Sequence, residues 1–242
     1  MNPVIIIPSR LEATRFPQKP LALIHGKPMI IHVLENAMNA KVGPVIVATP
    51  NQEIIDLVEQ AGGIAVSTRF DHATGSDRIY EALQTFDPHG NHDVVINLQG
   101  DLPTITSADV QKVLIPLKES DKFQISTLVT PLNSPDELTN RNVVKAVIAD
   151  FRDNRGDGIY FSRSPVPYGS GPHFHHAGIY AYRRFALDSF VKAPQSGLEK
   201  QESLEQLRAL EMGYKIGVYF TESFLAGVDT PEDLALVTKY LS

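Results

Sequence analysis

The sequence predicts an α/β protein with a mostly parallel central sheet and helices on both faces. Short apolar runs alternate with amphipathic stretches over the first hundred residues, which is typical of strands joined by helical crossovers. The apolar runs, such as residues 4–7 and 94–98, contain no regular polar alternation, so they predict strands covered on both faces. The chain has 242 residues, 43% of them hydrophobic, which is enough for one sizeable core.

Strands and helices are expected to alternate in the first half of the chain. Pro28 suits the first turn of a helix over 28–40, because the apolar residues that follow fall on one face. Asn51, Ser76 and Ser107 are each predicted to cap a helix. The predicted strands are 4–7, 45–48, 64–67 and 94–98, and the predicted helices are 28–40, 53–61, 76–86 and one opening at 107.

The pattern changes after residue 122, where strands predominate and Gly, Pro and Asn separate them. Strands are expected at 125–130, 143–149, 159–161, 174–182 and 215–220, and a helix at 198–212. Thr230, Pro231 and Asp233 form a capping pattern that opens the last helix. We expect one domain, 1–242, with a core of about 1–121 and 184–242 and a smaller β-rich arm of about 122–183.

Composition excludes several classes of protein. The formal net charge of −6 argues against general nucleic-acid binding. The absence of cysteine excludes disulfides, thiolate metal sites and cysteine nucleophiles. No signal pattern and no apolar run of about 20 residues is present, so we expect a cytoplasmic protein that does not bind a membrane.

A basic loop follows the first strand and predicts an anion site. Arg10, Arg15 and Lys19 come directly after residues 4–7, and α/β sheets bind ligands at the carboxyl ends of their strands. Phosphate suits both guanidinium and ammonium groups. Neither a Walker A pattern nor G-x-G-x-x-G is present, so side chains rather than a glycine-rich loop would hold the phosphates.

Two aspartates extend this prediction to a metal. Asp101 follows the strand 94–98, and Asp229 precedes the last helix. Mg²⁺ prefers one or two carboxylates together with substrate phosphates. Each aspartate alone also fits a turn or a capping residue; together with a polyphosphate loop they predict metal-assisted phosphoryl or nucleotidyl transfer.

Three further polar clusters carry weaker predictions. The loop 68–78 could read a base or a phosphate at the start of a helix. His173, His175 and His176 do not make a convincing zinc site, because strand neighbours face opposite sides and no H-E-x-x-H helix exists. The third cluster is expected to be mainly a solvated helix face, with one or two members turned to a site; it consists of Glu199, Glu202, Glu205, Gln206 and Arg208.

Taken together, these motifs resemble the 3-deoxy-manno-octulosonate (Kdo) cytidylyltransferases, also called CMP-Kdo synthetases, over nearly the whole chain. The motifs are residues 6–10 (IIPSR), 14–21 (TRFPQKPL), 26–30 (GKPMI), 71–78 (DHATGSDR), 99–101 (QGD), 160–163 (YFSR), 176–183 (HAGIYAYR), 204–208 (LEQLR) and 227–234 (GVDTPEDL). The Lys-Pro-Leu element alone is shared with many nucleotidyltransferases, and the later motifs are the specific ones.

The resemblance implies a Mg²⁺-dependent nucleotidyltransferase of the EC 2.7.7 class that couples CTP to Kdo, giving CMP-Kdo and pyrophosphate for lipopolysaccharide synthesis. It implies a Rossmann-like nucleotidyltransferase fold and a homodimer formed through the β-rich arm. Arg10, Arg15 and Lys19 would hold the CTP phosphates, and Asp101 and Asp229 would ligate Mg²⁺. The cytidine would be surrounded by Ser9, Thr74, Gly75, Arg78 and Gln99. The sugar acid would be faced by Arg163, His176, Tyr180, Glu205 and Gln206.

One departure and three alternatives accompany this interpretation. The commoner family motif is Gln-Gly-Asp-Glu-Pro, whereas Leu102 occupies the fourth position here, so no carboxylate acts there. The sugar could instead be an 8-amino variant of Kdo or a sialic acid. A nucleotide-sugar glycosyltransferase is disfavoured by the lack of Asp-x-Asp after the strand 94–98. A non-catalytic nucleotide-sugar-binding module is disfavoured by the presence of both Asp101 and Asp229.

Overall fold

The computed structural model describes residues 1–12, 16–132 and 134–242, which form two compact units. The first unit comprises residues 1–111 and 224–242, and the second comprises 112–223. The strands are β1 (Pro3–Pro8), β2 (Leu23–Ile24), β3 (Lys27–Pro28), β4 (Val45–Thr49), β5 (Ile64–Ser67), β6 (Val94–Leu98), β7 (Ile125–Pro131), β8 (Lys145–Arg152), β9 (Arg155–Ser162), β10 (Phe174–Arg183) and β11 (Ile216–Phe220). The helices are α1 (Met29–Asn39), α2 (Gln52–Gln60), α3 (Gly75–Phe86), α4 (Ser107–Lys112), α5 (Ile115–Glu119), α6 (Pro135–Thr139), α7 (Arg184–Lys192), α8 (Gly197–Glu202), α9 (Gln206–Glu211) and α10 (Pro231–Tyr240), with a 3₁₀ turn at Lys19–Leu21.

The first unit contains a parallel sheet in the order β5-β4-β1-β6. In the centre of this sheet Ile5 lies opposite Val45 on one side and Ile96 on the other. Val4–Ile7 of β1 are fully buried, so both faces of the sheet are covered. The predicted mixed α/β fold with a parallel sheet is therefore confirmed. Since the strands are parallel, the segments that follow β1, β5 and β6 emerge at one edge of the sheet.

A small apolar cluster ties the last helix to the segment around the first basic loop. Ile24 and Met29 pack with Val228 and Val237, and all four side chains are fully buried. Ile24 belongs to the hairpin of β2 and β3, which the sequence analysis did not predict. Its two-residue turn has positive φ at His25 (49°) and at Gly26 (79°), as a tight hairpin turn requires. This cluster sets the position of the chain on either side of the candidate site.

Helix capping differs from the prediction at three places. Thr74, not Ser76, caps α3, and it forms a capping box with Asp77. Thr106, not Ser107, accepts the hydrogen bond from the Asp109 amide at the start of α4. Asn51 stands at the N-cap of α2, but its side chain does not bond to the helix. A threonine one or two residues earlier thus takes the cap from each serine, while the Asn51 side chain bonds to Leu11 and Glu12 instead.

The start of the last helix agrees with the prediction. Thr230 caps α10 with Pro231 in the first turn, and Asp233 completes the capping box. The Asp233 carboxylate also accepts a hydrogen bond from the Asp229 amide at 3.0 Å. The cap therefore holds the backbone of the predicted metal ligand in place.

The described residues of the second unit form five strands whose pairing closes on itself. The order is β10-β7-β11-β9-β8, and the first residues of β10 also pair with β8, Phe174 lying opposite Ala146. All pairs are antiparallel except β7 with β11. The strand-rich character predicted for this part of the chain is confirmed, and its strands reach further along the chain than the proposed arm of 122–183.

The helices of the second unit depart most from the prediction. The predicted helix 198–212 is two helices, α8 and α9, separated at Ser203, whose φ is 55°. Helices α5, α6 and α7 were not predicted; α5 and α6 have five residues each, too short to give a clear periodicity. Among the described residues, no helix combines the length and apolar character needed to cross a lipid bilayer.

Candidate functional site

A cavity of about 400 Å³ lies at the carboxyl edge of the parallel sheet in the first unit. The structure places there every described residue of the predicted nucleotide and metal sets. These are Ser9, Arg10, Lys19, Thr74, Gly75, Arg78, Gln99, Asp101 and Asp229. Arg15 lies outside the described residues. Leu102, the departure from the family motif, is buried and is not among the residues that line the cavity.

Lys19 lies between the two predicted metal ligands. Its Nζ is 2.7 Å from Asp101 Oδ2 and 3.2 Å from Asp229 Oδ1. The segments that carry the aspartates are joined as well, since the Val228 amide donates to the Asp101 carbonyl at 2.9 Å. Burial disfavours the charge on Lys19, but the two carboxylates outweigh this, so the pKa of Lys19 is raised. The ammonium therefore stays charged, and its bond to Asp229 connects two residues that are 210 positions apart in the chain.

Two side chains from the end of β1 bring different chemistry to the cavity. Arg10 is exposed and lines the cavity with its charge available to a ligand. Ser9 is only 6% exposed, and its hydroxyl has no hydrogen-bond partner among the described residues. A buried polar group without a partner costs free energy, so such groups often mark a ligand position. Ser9 is thus preorganised to meet a polar ligand atom.

The start of α3 contributes a fixed backbone and a buried guanidinium. Arg78 is 3% exposed, and its Nη1 donates to Thr68 Oγ1 at 2.6 Å and to the Arg69 carbonyl at 3.0 Å. Burial, together with the charge of Arg10, lowers the pKa of Arg78. Arg78 therefore holds the segment before α3 against the helix while it lines the cavity.

Sequence reasoning missed two polar pairs at the cavity. Asn51 accepts from the Leu11 amide at 3.1 Å and donates to Glu12 Oε1 at 2.9 Å, an arrangement that draws the basic loop towards α2. This hydrogen bond lowers the pKa of Glu12 against the opposing effect of burial. His72 Nε2 is in hydrogen-bond contact with Glu81 Oε2. The spacing of Glu81 three residues after Arg78 was the available signal, since such residues share a helix face.

The predicted sugar-binding residues all lie in the second unit, where His176 and Tyr180 form an aromatic pair. Their ring centroids are 5.2 Å apart, and His176 also packs edge-on against Phe161. Burial lowers the pKa of His176 to about 3, so the ring is neutral at physiological pH. Burial, with Tyr182 and Glu205 nearby, raises the pKa of Tyr180 well above its usual value.

The tautomer of His176 follows from its contact with Thr127. The Thr127 hydroxyl donates to the Ile179 carbonyl at 2.7 Å, so it is an acceptor towards His176 Nε2 at 3.0 Å. The ring proton is then on Nε2, and Nδ1 is an acceptor. His176 can accept a hydrogen bond from a ligand hydroxyl, but it cannot supply a positive charge to a carboxylate.

Arg163 is largely committed to backbone carbonyls. Its Nε donates to Glu202 O, its Nη1 to Arg141 O and its Nη2 to Ser203 O, at 3.0, 3.0 and 3.3 Å. Lys145 Nζ in turn donates to the Arg163 carbonyl at 2.7 Å, although Lys145 is fully buried. Arg163 thus anchors the loop after β9 while some of its N–H groups are left for a ligand.

The prediction that Glu199 lies on a solvated helix face is wrong. Glu199 and Arg208 are 3% and 5% exposed, and they form a two-point ion pair with Arg208 Nε 2.7 Å from Glu199 Oε2. Gln206 is 6% exposed, and its Nε2 has no partner among the described residues. Gln206 is therefore the member of the cluster with a buried donor to offer a ligand.

No group of three or more histidine, aspartate and glutamate side chains that could hold a metal was found among the described residues. Of the three neighbouring histidines, His173 contacts the Pro167 carbonyl at 3.0 Å. At Lys19, two carboxylates of the cavity share one cation.

Comparison with known proteins identifies the family. A cytidylyltransferase family model matches residues 4–216. A 3-deoxy-manno-octulosonate cytidylyltransferase of Paramagnetospirillum magneticum is 49% identical over 235 residues, which are 97% of this chain and 95% of that protein. The corresponding protein of Methylobacterium radiotolerans is 51% identical over 233 residues, covering 96% of this chain and 94% of the relative.

One solved structure agrees with this assignment, and a more distant one shares the fold. A CMP:2-keto-3-deoxy-manno-octonic acid synthetase, solved as a complex with CTP, superposes with a TM-score of 0.90 at 37% identity, covering 100% of this chain and 98% of that one. A 4-diphosphocytidyl-2C-methyl-D-erythritol synthase from Anaerococcus prevotii shares the fold at 15% identity, with a TM-score of 0.66, covering 99% of this chain and 98% of that one. The chain therefore belongs to the 3-deoxy-manno-octulosonate cytidylyltransferases of the cytidylyltransferase family.

Proposed function

We propose that this protein is an enzyme that transfers the cytidylyl group of CTP to Kdo, giving CMP-Kdo and pyrophosphate for lipopolysaccharide synthesis. The observation that carries the proposal is the arrangement of Lys19, Asp101 and Asp229 in one cavity of the first unit. Two carboxylates and an ammonium at the end of parallel strands suit a metal-bound polyphosphate. The named activities of the relatives, at about 50% identity over nearly the whole chain, point to the same substrates.

We propose that Arg10, Arg15 and Lys19 bind the triphosphate. An ammonium group has three N–H donors, and Lys19 directs two of them to aspartates, so a third can meet a phosphate oxygen. The exposed guanidinium of Arg10 adds positive charge beside the same cavity. These cations would stabilise the charge that develops on the leaving pyrophosphate.

We propose that Asp101 and Asp229 hold Mg²⁺. The residues fit this cation, because both are oxygen donors and both already converge on a single positive charge, the Lys19 ammonium. When bound there, Mg²⁺ would polarise the phosphate oxygens and lower the pKa of the attacking hydroxyl. No third protein carboxylate is needed, since Mg²⁺ usually keeps several waters and phosphate ligands.

The transfer itself is a displacement at the α-phosphorus. The anomeric hydroxyl oxygen of the sugar forms a bond to this phosphorus, the bond to the bridging oxygen of the β-phosphate breaks, and the hydroxyl proton passes to solvent. Positioning and charge stabilisation supply most of the rate in such reactions, so no side chain is assigned as a general base.

We propose that Ser9, Thr74, Gly75, Arg78 and Gln99 surround the cytidine, and that the second unit provides the sugar-acid contacts. Neutral His176 would accept a hydrogen bond from a sugar hydroxyl. Gln206 would donate a hydrogen bond through Nε2, which has no partner among the described residues. Arg163 would supply positive charge to the sugar carboxylate. Tyr180 and Glu205 would complete the set.

The test is pyrophosphate release from CTP, ATP, GTP and UTP with Mg²⁺ and a panel of sugar acids. Release with CTP and Kdo alone supports the proposal. Pyrophosphate release with 8-amino-Kdo or a sialic acid would show that the sugar substrate is not Kdo alone. Binding of CTP without pyrophosphate release would indicate a binding module. Replacing Mg²⁺ by a chelator should abolish release, and unchanged release would contradict the metal assignment.

We further propose a cytoplasmic homodimer in which the arm of 122–183 carries the interface. CTP is a cytoplasmic substrate, and this segment exposes the large apolar side chains of Phe151, Ile159 and Tyr168. Exposed apolar residues in one region are typical of association surfaces. Sedimentation of the wild type against an Ile159→Asp variant tests the interface, and an unchanged mass would place it elsewhere. Cell fractionation tests the location.

A further inference from the structure

His72 lines the cavity of the first unit but belongs to none of the predicted ligand sets. Its side chain is buried, and ring atom Nε2 contacts Glu81 Oε2. Burial opposes ionisation of Glu81, but the hydrogen bonds from His72 and from the Arg69 amide lower its pKa overall. Glu81 is therefore a carboxylate at neutral pH and can only accept hydrogen bonds.

When the ring carries a single proton, the contact with Glu81 decides which nitrogen holds it. Because a carboxylate is only an acceptor, Nε2 of His72 must be the donor. Nδ1 is then unprotonated and is a hydrogen-bond acceptor. The same reasoning applies to histidines whose second nitrogen binds a ligand while a carboxylate holds the first.

Glu81 is itself held in a fixed position. Its Oε2 accepts from the Arg69 amide at 3.1 Å, and Arg69 Nε lies 3.7 Å from Oε1. Arg78, one turn earlier on the same helix face, donates to the Arg69 carbonyl and to Thr68. Arg78 and Glu81 thus hold the segment 68–72 against α3, because Arg78 donates to acceptors of this segment and Glu81 accepts from its donors. His72 therefore has a preset orientation before any ligand arrives.

A hydrogen-bond acceptor at Nδ1 of His72 is complementary to the 4-amino group of cytosine. Cytosine carries a 4-amino group that donates, whereas uracil carries a 4-oxo group that accepts; O2 is an acceptor in both. Arg78 provides donors to the same cavity, suited to O2 and N3 of cytosine. An acceptor at the histidine would meet the 4-amino group and would oppose the oxygen of uracil.

We propose that His72 is a specificity-determining residue whose Nδ1 accepts a hydrogen bond from the cytosine 4-amino group, and that Glu81 is a positioning residue that sets the tautomer of His72. The inference rests on the proposed use of CTP. His72 would give the cavity a hydrogen-bond acceptor that favours CTP over UTP. No other cavity residue has been assigned this role.

The experiment measures kcat/KM for three triphosphates at pH 8 with Mg²⁺ and Kdo: CTP, UTP and the pyrimidin-2-one analogue that lacks the 4-amino group. The variants are His72→Ala, which removes the acceptor, and Glu81→Gln, whose amide can either donate or accept and so permits both tautomers. The matched controls are Glu59→Gln on the exposed face of α2 and the exposed His89→Ala.

We expect wild type and both controls to prefer CTP to each of the other triphosphates, and both variants to lose at least about tenfold of that preference, the worth of one buried hydrogen bond. Because each preference is a ratio within one sample, partial misfolding of a variant cancels. In addition, ¹⁵N spectra should show His72 protonated on Nε2 alone in wild type and a mixture of tautomers in Glu81→Gln.

Two results would overturn the inference: preferences that stay at the wild-type value in both variants, or a wild-type ring protonated on Nδ1. Failure of the proposed function is distinguishable from these, since the wild type would then release no pyrophosphate from CTP. Calorimetric binding of CMP against UMP would in that case measure the same preference without catalysis, and an equal loss in both variants would still support the assignment to His72.

Discussion

Lys19 Nζ lies 2.7 Å from Asp101 Oδ2, and this ion pair joins the first basic loop to the end of β6. The Lys19 side chain is mostly buried, whereas that of Asp101 is 31% exposed. The pair therefore faces a cavity and is open to a ligand on one side. The carboxylate of Asp229 shares the ammonium, so the loss of Lys19 would leave two aspartates without their common cation.

Replacing Lys19 by methionine should make stability depend on metal. The two carboxylates would repel each other, and the variant should lose about 1 kcal/mol, which for a chain of this size is roughly 2–4 °C in Tm. Adding Mg²⁺ should therefore raise the stability of the variant by more than it raises the stability of the wild type. Thermal melting with and without Mg²⁺ measures the effect. Lys239→Met on α10, whose side chain is exposed, is the control, and an equal response to Mg²⁺ in both variants would contradict the prediction.

Asp101→Asn and Asp229→Asn should each lower kcat for pyrophosphate release by about 100-fold or more, because each removes a charged oxygen from the pair proposed to hold Mg²⁺. Neither should unfold the protein, since both side chains are partly exposed. Steady-state kinetics over a range of Mg²⁺ concentrations makes the measurement. Asp56→Asn on the exposed side of α2 should be near wild type. Near-normal turnover in both site variants would remove the metal assignment.

His176 should make the protein less stable at acidic pH. Its pKa is about 3 when folded and about 6.5 when unfolded, so between these values the unfolded state binds more protons. Stability from this group is complete above pH 6.5 and falls by about 1.4 kcal/mol for each pH unit below it. Urea unfolding at pH 7.5, 6.0 and 5.0 should show a smaller acid loss in His176→Gln than in wild type. The exposed His89→Gln should keep the full loss, and the same loss in His176→Gln would refute the assignment.

Breaking the buried pair of Glu199 and Arg208 should lower the stability strongly, whereas replacing both residues should lower it much less. Glu199→Gln leaves the guanidinium without its anionic partner, and about 3–5 kcal/mol of stability should be lost. Replacing both residues, as in Glu199→Gln with Arg208→Met, should recover a large part of the loss. The exposed pair of Lys192 and Asp188 is the control, since breaking it should cost less than about 0.5 kcal/mol. A double variant as unstable as the single one would contradict this expectation.

Patterns that depend on local sequence were read correctly. The apolar runs predicted β1, β4, β5 and β6. The prediction that these strands are covered on both faces is correct for β1, β4 and β6 and wrong for the edge strand β5, where Ile64 is 44% exposed. Thr230 and Asp233 predicted the capping box of α10 because that motif is complete within four residues. Such features need no information about distant parts of the chain.

Side chains with distant partners were read less well. Asn51 looked like a helix cap, yet it bonds to Leu11 and Glu12, about 40 residues earlier. Glu199 looked solvated, yet it is buried against Arg208 across the break between α8 and α9. The spacing of Glu81 placed it on the helix face of Arg78, but its partners, His72 and Arg69, fold back onto α3 only in the tertiary structure.

The sequence by itself determined that this chain makes an α/β sheet, that cations and Asp101 follow its strands while Asp229 precedes the last helix, and that its motifs are those of Kdo cytidylyltransferases. Those conclusions rest on short-range periodicity and on residue types at fixed spacing. Only the tertiary structure decided that Lys19 bridges Asp101 and Asp229, that His176 is buried and neutral, and that Glu81 orients His72. Charge state, tautomer and ion pairing depend on burial and on partners far along the chain, and folding alone brings these together.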